Sequence, residues 1–147
     1  MTIKRIGFCV ISALVMILAA AGCAPKDKSI CYVNPDNWSE PATVVADNVA
    51  TDVLLDVVFN VRCNADLNLR IPPVVIRTIA PNGLECIEQA FWTFGENDGP
   101  AAVASLQRVC YRSTCLLDQV GEYKFVVSPR EPVRGIEAVI VNIEPFK

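Results

Sequence analysis

Hydrophobic and polar residues alternate along most of this chain, and the alternation predicts strands. In "LLDVVFNVRC", residues 54–63, Leu55, Val57, Phe59, Val61 and Cys63 share one face, while Asp56, Val58, Asn60 and Arg62 share the other. That period of two belongs to a half-buried strand, whose side chains point to the two faces in turn. Cys63 should therefore point inward. "ECIEQAFWTF", residues 85–94, sets Cys86, Glu88, Ala90 and Trp92 against Ile87, Gln89 and Phe91. "GIEAVIVNIEPF", residues 135–146, sets Ile136, Ala138, Ile140, Asn142 and Glu144 against Glu137, Val139, Val141 and Ile143. "VVIRTI", "CLLDQ" and "EYKFVVS" add further short strand-like runs, separated by Asn, Asp, Gly and Pro. Pro72 and Pro73 lack the N–H that a central ladder needs, so they mark a break or an edge.

Short strands at this spacing predict an all-β fold, an antiparallel β-sandwich of Ig-like or jelly-roll-like kind. One stretch is ambiguous. In "ENDGPAAVASLQRV", residues 96–109, Pro100 is placed to open a short helix near residues 100–108. The alternative is a loop running into a strand at Ser105 to Tyr111.

The first residues follow a different pattern. Lys4 and Arg5 precede an uncharged run from Ile6 to Ala21, the basic and apolar parts of an export signal. The run is short for a membrane span, which needs about 20 apolar residues. Small residues Ala19, Ala20, Ala21 and Gly22 lead directly into Cys23, as in a bacterial lipoprotein signal, although Ala20 stands where a leucine is more usual. Cys23 is then the lipid-attachment residue and the first of the mature chain. An ordinary secretory signal cut after the alanine triplet, or a short anchor helix, are the alternatives. Acyl chains such as palmitate contribute about 0.8 kcal/mol per buried methylene, which anchors a protein without a spanning helix. The expected organisation is a signal at 1–22, a polar, proline-containing tether at 23–42 that can hold a short edge strand at Cys31 to Val33, and a β-sandwich domain at 43–147. Ala24 after the cysteine, rather than an acidic residue, favours the outer membrane over the inner, with the domain facing the periplasm or the cell surface.

Removing residues 1–22 from the 147 leaves 125, enough for one core, with 11 basic against 16 acidic residues. Nucleic acid is thus a poor partner, because its binding rests on Lys and Arg neutralising phosphates. The lipid anchor would be the contact with the membrane, and other envelope proteins are the expected partners. Beyond Cys9 and Cys23 the chain holds Cys31, Cys63, Cys86, Cys110 and Cys115, a density that suits an oxidising compartment. Cys110 and Cys115 flank "YRST" and would suit a disulfide across a four-residue hairpin loop.

The chain has no histidine, which removes the Ser-His-Asp triad, the Cys-His dyad and imidazole metal sites. No metal and no cofactor beyond the lipid is expected. Pairs such as Glu85 with Glu88, or Glu96 with Asp98, would need to meet across a cleft for carboxylate catalysis, and solvated turns or outward strand faces explain them more simply. The expected function is non-enzymatic. Trp38 and Trp92 are the candidate aromatics for stacking a glycan or peptide, against the plainer reading that they are core.

The closing stretch "GEYKFVVSPREPVRGIEAVIVNI", residues 121–143, resembles the end of the gliding-motility lipoprotein H (GldH) family. Gly121, Tyr123, Phe125, Arg130, Val133, Gly135, Ile136, Val139 and Ile143 occupy matching places. Asn37-Trp38, and the strand into Ala80-Pro81-Asn82-Gly83, are similar to earlier segments of that family. The chain departs from the pattern where Arg130 follows Pro129 rather than a methionine, where Val133 replaces a leucine, and in its extra cysteines. The resemblance implies a small accessory lipoprotein of the cell envelope, associated in gliding bacteria with the motility and secretion apparatus. Relatives also occur in bacteria that do not glide.

Overall fold

A computed structural model describes residues 27–68, 70–94 and 105–147. These form eight strands: β1 Ile30–Tyr32, β2 Ala42–Asn48, β3 Leu55–Cys63, β4 Val74–Ile79, β5 Glu85–Ala90, β6 Ser105–Cys115, β7 Gly121–Pro129 and β8 Ile136–Pro145. They make two four-stranded sheets, ordered β1-β8-β3-β6 and β2-β7-β4-β5, with antiparallel pairing throughout. The sheets pack face to face as a β-sandwich.

The alternation in the sequence explains the packing. Val57, Phe59, Val61 and Cys63 of β3 lie in the gap between the sheets with Val139 and Val141 of β8. Val44 of β2, Val74 and Ile76 of β4, and Tyr123, Phe125 and Val127 of β7 meet them from the other side. Each such side chain contributes about 1.5–3 kcal/mol when fully buried. Val58 lies on the outward face yet is fully buried, because its strand is central and Cys110 and Asn142 flank it on the neighbouring strands. Pro72 and Pro73 precede β4, and the Pro73 carbonyl accepts a hydrogen bond from the Arg130 N–H at 3.0 Å.

Three sequence expectations change. Residues 27–42, read as part of a tether, are woven into the sandwich: β1 pairs with β8, Ala42 begins β2, and Trp38 is buried. The Trp38 N–H donates to the Val133 carbonyl at 2.8 Å and the Val133 N–H returns the bond at 3.0 Å. The short edge strand expected at Cys31 to Val33 is β1, one residue earlier, while the polar composition hid how the rest of the segment is held by distant strands. Of the helix expected near residues 100–108, Ser105–Arg108 are strand, and the rest lies outside the described residues. "YRST" is not a hairpin loop, since Ser105–Cys115 runs on as one strand along β3.

The two long sides of the sandwich close differently. Along β1 and β2 the backbone bridges the sheets, with the Lys28 carbonyl accepting from Val45 N–H on β2 at 2.8 Å and the Ser29 carbonyl from Val141 N–H on β8 at 3.0 Å. Along β5 and β6 side chains close it.

Candidate functional site

Glu88 on β5 faces across the gap toward β6, where Tyr111 donates its hydroxyl to the carboxylate and Arg112 donates a guanidinium N–H to the same oxygen. Consecutive residues of a regular strand point to opposite faces, so two of them reaching one acceptor needs an irregularity. A β-bulge supplies it. Val58 pairs with Cys110 and Val57 with Arg112, leaving Tyr111 as the extra residue on β6. A second irregularity follows at once, because Leu55 pairs with Cys115. There Thr114 adopts φ 54°, a left-handed conformation costly for a β-branched residue. Asp56 holds that kink, its Oδ1 accepting from Thr114 N–H at 2.9 Å and from the Ser113 hydroxyl at 3.0 Å.

The Tyr111 ring also packs on Phe59, with centroids 5.6 Å apart, and the Arg112 guanidinium sits 4.8 Å from the Tyr111 ring centre. Burial, reinforced by the bond to Glu88, pushes the Tyr111 hydroxyl up to about 12. The Glu88 carboxyl is held below its ordinary range, first by the Tyr111 bond and, against an opposing effect of burial, by Arg112. A carboxylate kept ionised by two donors neither takes nor gives a proton near neutrality, and the arrangement acts as a clamp between the sheets. Beside it is a recess of about 120 Å³ that includes Thr78, Cys86 and Leu117. A larger recess of about 830 Å³ lies on the other side of the sandwich along Lys28, Ile30, Tyr32, Val45 and Glu122.

The residues singled out from sequence scatter. Cys23 lies outside the described residues, as do Glu96 and Asp98. Trp38 and Trp92 are 1% and 4% exposed, with ring centroids 6.4 Å apart, so both indoles are core and neither is a surface platform. Trp38 satisfies its indole N–H on the Glu40 carbonyl at 2.8 Å. Cys110 and Cys115 are both free thiols. Cys110 is exposed on the outward face, whereas Cys115 packs against the core with its thiol 3.3 Å from the Leu55 carbonyl. Opposite faces of one strand prevent the disulfide that a hairpin would allow. Glu85 and Glu88 also part company: Glu85 points outward and receives the Arg77 Nε–H at 3.0 Å.

Sequence reading missed the pairing of Glu88 with Tyr111 and Arg112, because a bulge has no pattern of its own and "YRST" reads equally well as a turn. Among the described residues no group of three or more His, Cys, Asp or Glu side chains is placed to hold a metal ion. A scan of protein-family models finds no match to the chain, and a search of curated proteins finds none either.

Proposed function

We propose that this protein is a lipid-anchored lipoprotein of the cell envelope, of the gliding-motility lipoprotein H kind, acting as a structural or adaptor subunit. The observation that carries the reading is the pairing of Trp38 with Val133. It joins the two separated segments, Asn37-Trp38 and the stretch through Val133 and Gly135, on which the family resemblance rests. The Gly135 N–H extends the join by donating to the Pro35 carbonyl at 2.8 Å.

The anchor proposed at Cys23 also gives the domain an orientation. Asp27 follows Cys23 by four residues, a link that spans at most about 14 Å. The β1–β2 side would therefore rest near the membrane. The β5–β6 side lies at the far end of both sheets and would be presented to other envelope proteins. With Trp38 and Trp92 in the core, the alternative of a glycan- or peptide-binding module loses its aromatic platform.

The test is mild crosslinking of intact cells followed by detergent extraction and capture of the full-length protein. Co-recovery of other envelope proteins, lost in a Cys23→Ala variant that no longer reaches the membrane, supports the adaptor reading. Recovery of this chain with no protein other than itself contradicts it.

A further inference from the structure

Each sheet ends in two edge strands, and three of the four carry a feature that discourages pairing with another chain. β1 is three residues long. β2 gives its Val45 N–H to the Lys28 carbonyl. β6 carries two register irregularities, at Tyr111 and near Thr114. These are the usual protections of an edge. β5 has none of them. Its six residues keep unbroken register with β4, and no described residue pairs with its outer side. Ile87 at its centre is 65% exposed, and Leu84 before it is 69% exposed.

We propose that β5 is a self-association edge, where two copies of this chain pair antiparallel about a two-fold axis through Ile87. The two β2-β7-β4-β5 sheets then join as one eight-stranded sheet. A two-fold contact requires the strand to complement its own reverse, and axes at Cys86, Ile87 and Glu88 differ in what they oppose. An axis perpendicular to the sheet passes through a residue, because directly opposed side chains share a face. An axis at Glu88 would oppose two like carboxylates. An axis at Cys86 would set Glu85 against Ile87 and Leu84 against Glu88.

An axis at Ile87 places Ile87 on its own copy at the centre, with Cys86 opposite Glu88 and Leu84 opposite Ala90. It also sets Glu85 opposite Gln89. Gln89 accepts the Arg130 Nη1–H at 2.7 Å, so a second guanidinium, besides the Arg77 that Glu85 already pairs with in its own copy, lies beside the incoming Glu85 carboxylate. Of these three registers, only this one makes both the apolar centre and the charged flanks self-complementary. The pairing is independent of lipid at Cys23 and of any partner the adaptor reading invokes.

The experiment is sedimentation velocity on the full-length chain in mild detergent across a concentration series, with near-UV circular dichroism confirming that each variant is folded. Wild type is expected to run as a dimer, and Ile87→Lys as a monomer. Glu85→Arg and Arg130→Glu should each weaken dimerisation about tenfold, because the two-fold axis repeats every charge pair, and the double variant should restore it. A wild type that stays monomeric overturns the proposal. So does a dimer indifferent to Ile87→Lys, or folded single charge variants that the double variant fails to rescue.

Discussion

Arg112 on β6 and Glu88 on β5 form an ion pair that crosses from one sheet to the other, on the side of the sandwich where no backbone hydrogen bonds between described residues make the crossing. The pair itself is partly exposed, and such pairs contribute little, about 0–1 kcal/mol. The Tyr111 hydroxyl on the same carboxylate is more enclosed, and losing it should matter more. Tyr111→Phe keeps the ring against Phe59 and removes the bond, and is expected to cost about 1 kcal/mol in urea unfolding. A Glu88→Gln, Tyr111→Phe double-mutant cycle should show coupling, whereas additive losses would mean that the clamp is no unit.

The same contact sets a pH dependence. Glu88 is held below its ordinary value of 4.5, so the unfolded chain binds its proton first as acid is added. Its contribution is full above that value and fades as pH falls through the lower folded value. Tyr111 works in the other direction. Its hydroxyl is raised from 10.0 to about 12, so its contribution is complete below pH 10 and is lost as pH rises toward 12. Glu88→Gln should flatten the acid limb of a stability profile, and Tyr111→Phe the alkaline limb. Unchanged limbs would contradict the clamp.

Two glycines separate backbone strain from crowding. Gly83 has φ +87° with nothing within 4 Å of a would-be Cβ, whereas Gly135 has φ +98° and a Cβ there would meet the Leu67 nitrogen at 2.4 Å. Gly83→Ala should cost about 1–2 kcal/mol, the usual penalty of a left-handed conformation. Gly135→Ala must also displace backbone, breaking the bonds from Gly135 N–H to Pro35 and from Asn64 N–H to Gly135. A loss above about 4 kcal/mol, or failure to fold, is expected. Equal melting temperatures for the two variants would contradict this packing.

Thiol chemistry should follow position on the strands. Cys63 is buried and its thiol is pushed up to about 12 by burial and by the Glu137 charge, while Cys86 and Cys110 are exposed. Native-state labelling with a maleimide, read by peptide mass, should modify Cys86 and Cys110 and reach Cys63 only in denaturant. Labelling of Cys63 in the folded protein would contradict the inward assignment.

The indoles offer an independent check. With Trp38 1% and Trp92 4% exposed, emission should be blue-shifted and resist acrylamide quenching. Trp38→Ala is expected to destabilise by about 3–5 kcal/mol. Freely quenched emission would return the tryptophans to the surface and revive the binding-module alternative.

What was legible in the sequence was whatever alternates. Leu55 through Cys63 showed its inner face because every second residue is apolar, and the β-sandwich follows from several such strands. In residues 27–42 the run Cys31 to Val33 was legible as a short edge strand, but Trp38 and Ala42 are isolated apolar positions among prolines and charges, and Trp38 is held by a partner, Val133, that is distant in the chain. Tyr111 and Arg112 were illegible for another reason. Which face they share depends on a register slip against Val57 and Val58, a relation between two strands that neither strand encodes alone. The Cys110–Cys115 expectation failed with it, since a hairpin and a bulged strand contain the same turn-forming residues.

The proposed anchor and orientation both rest on Cys23, and the intact mass of the protein recovered from membranes, beside a Cys23→Ala variant, tests that anchor most directly. The expected result is a chain that begins at Cys23 and carries acyl mass that the variant lacks. A mature chain without lipid, cut at another position or released as a soluble protein, would contradict the anchor and with it the membrane-facing orientation of β1 and β2.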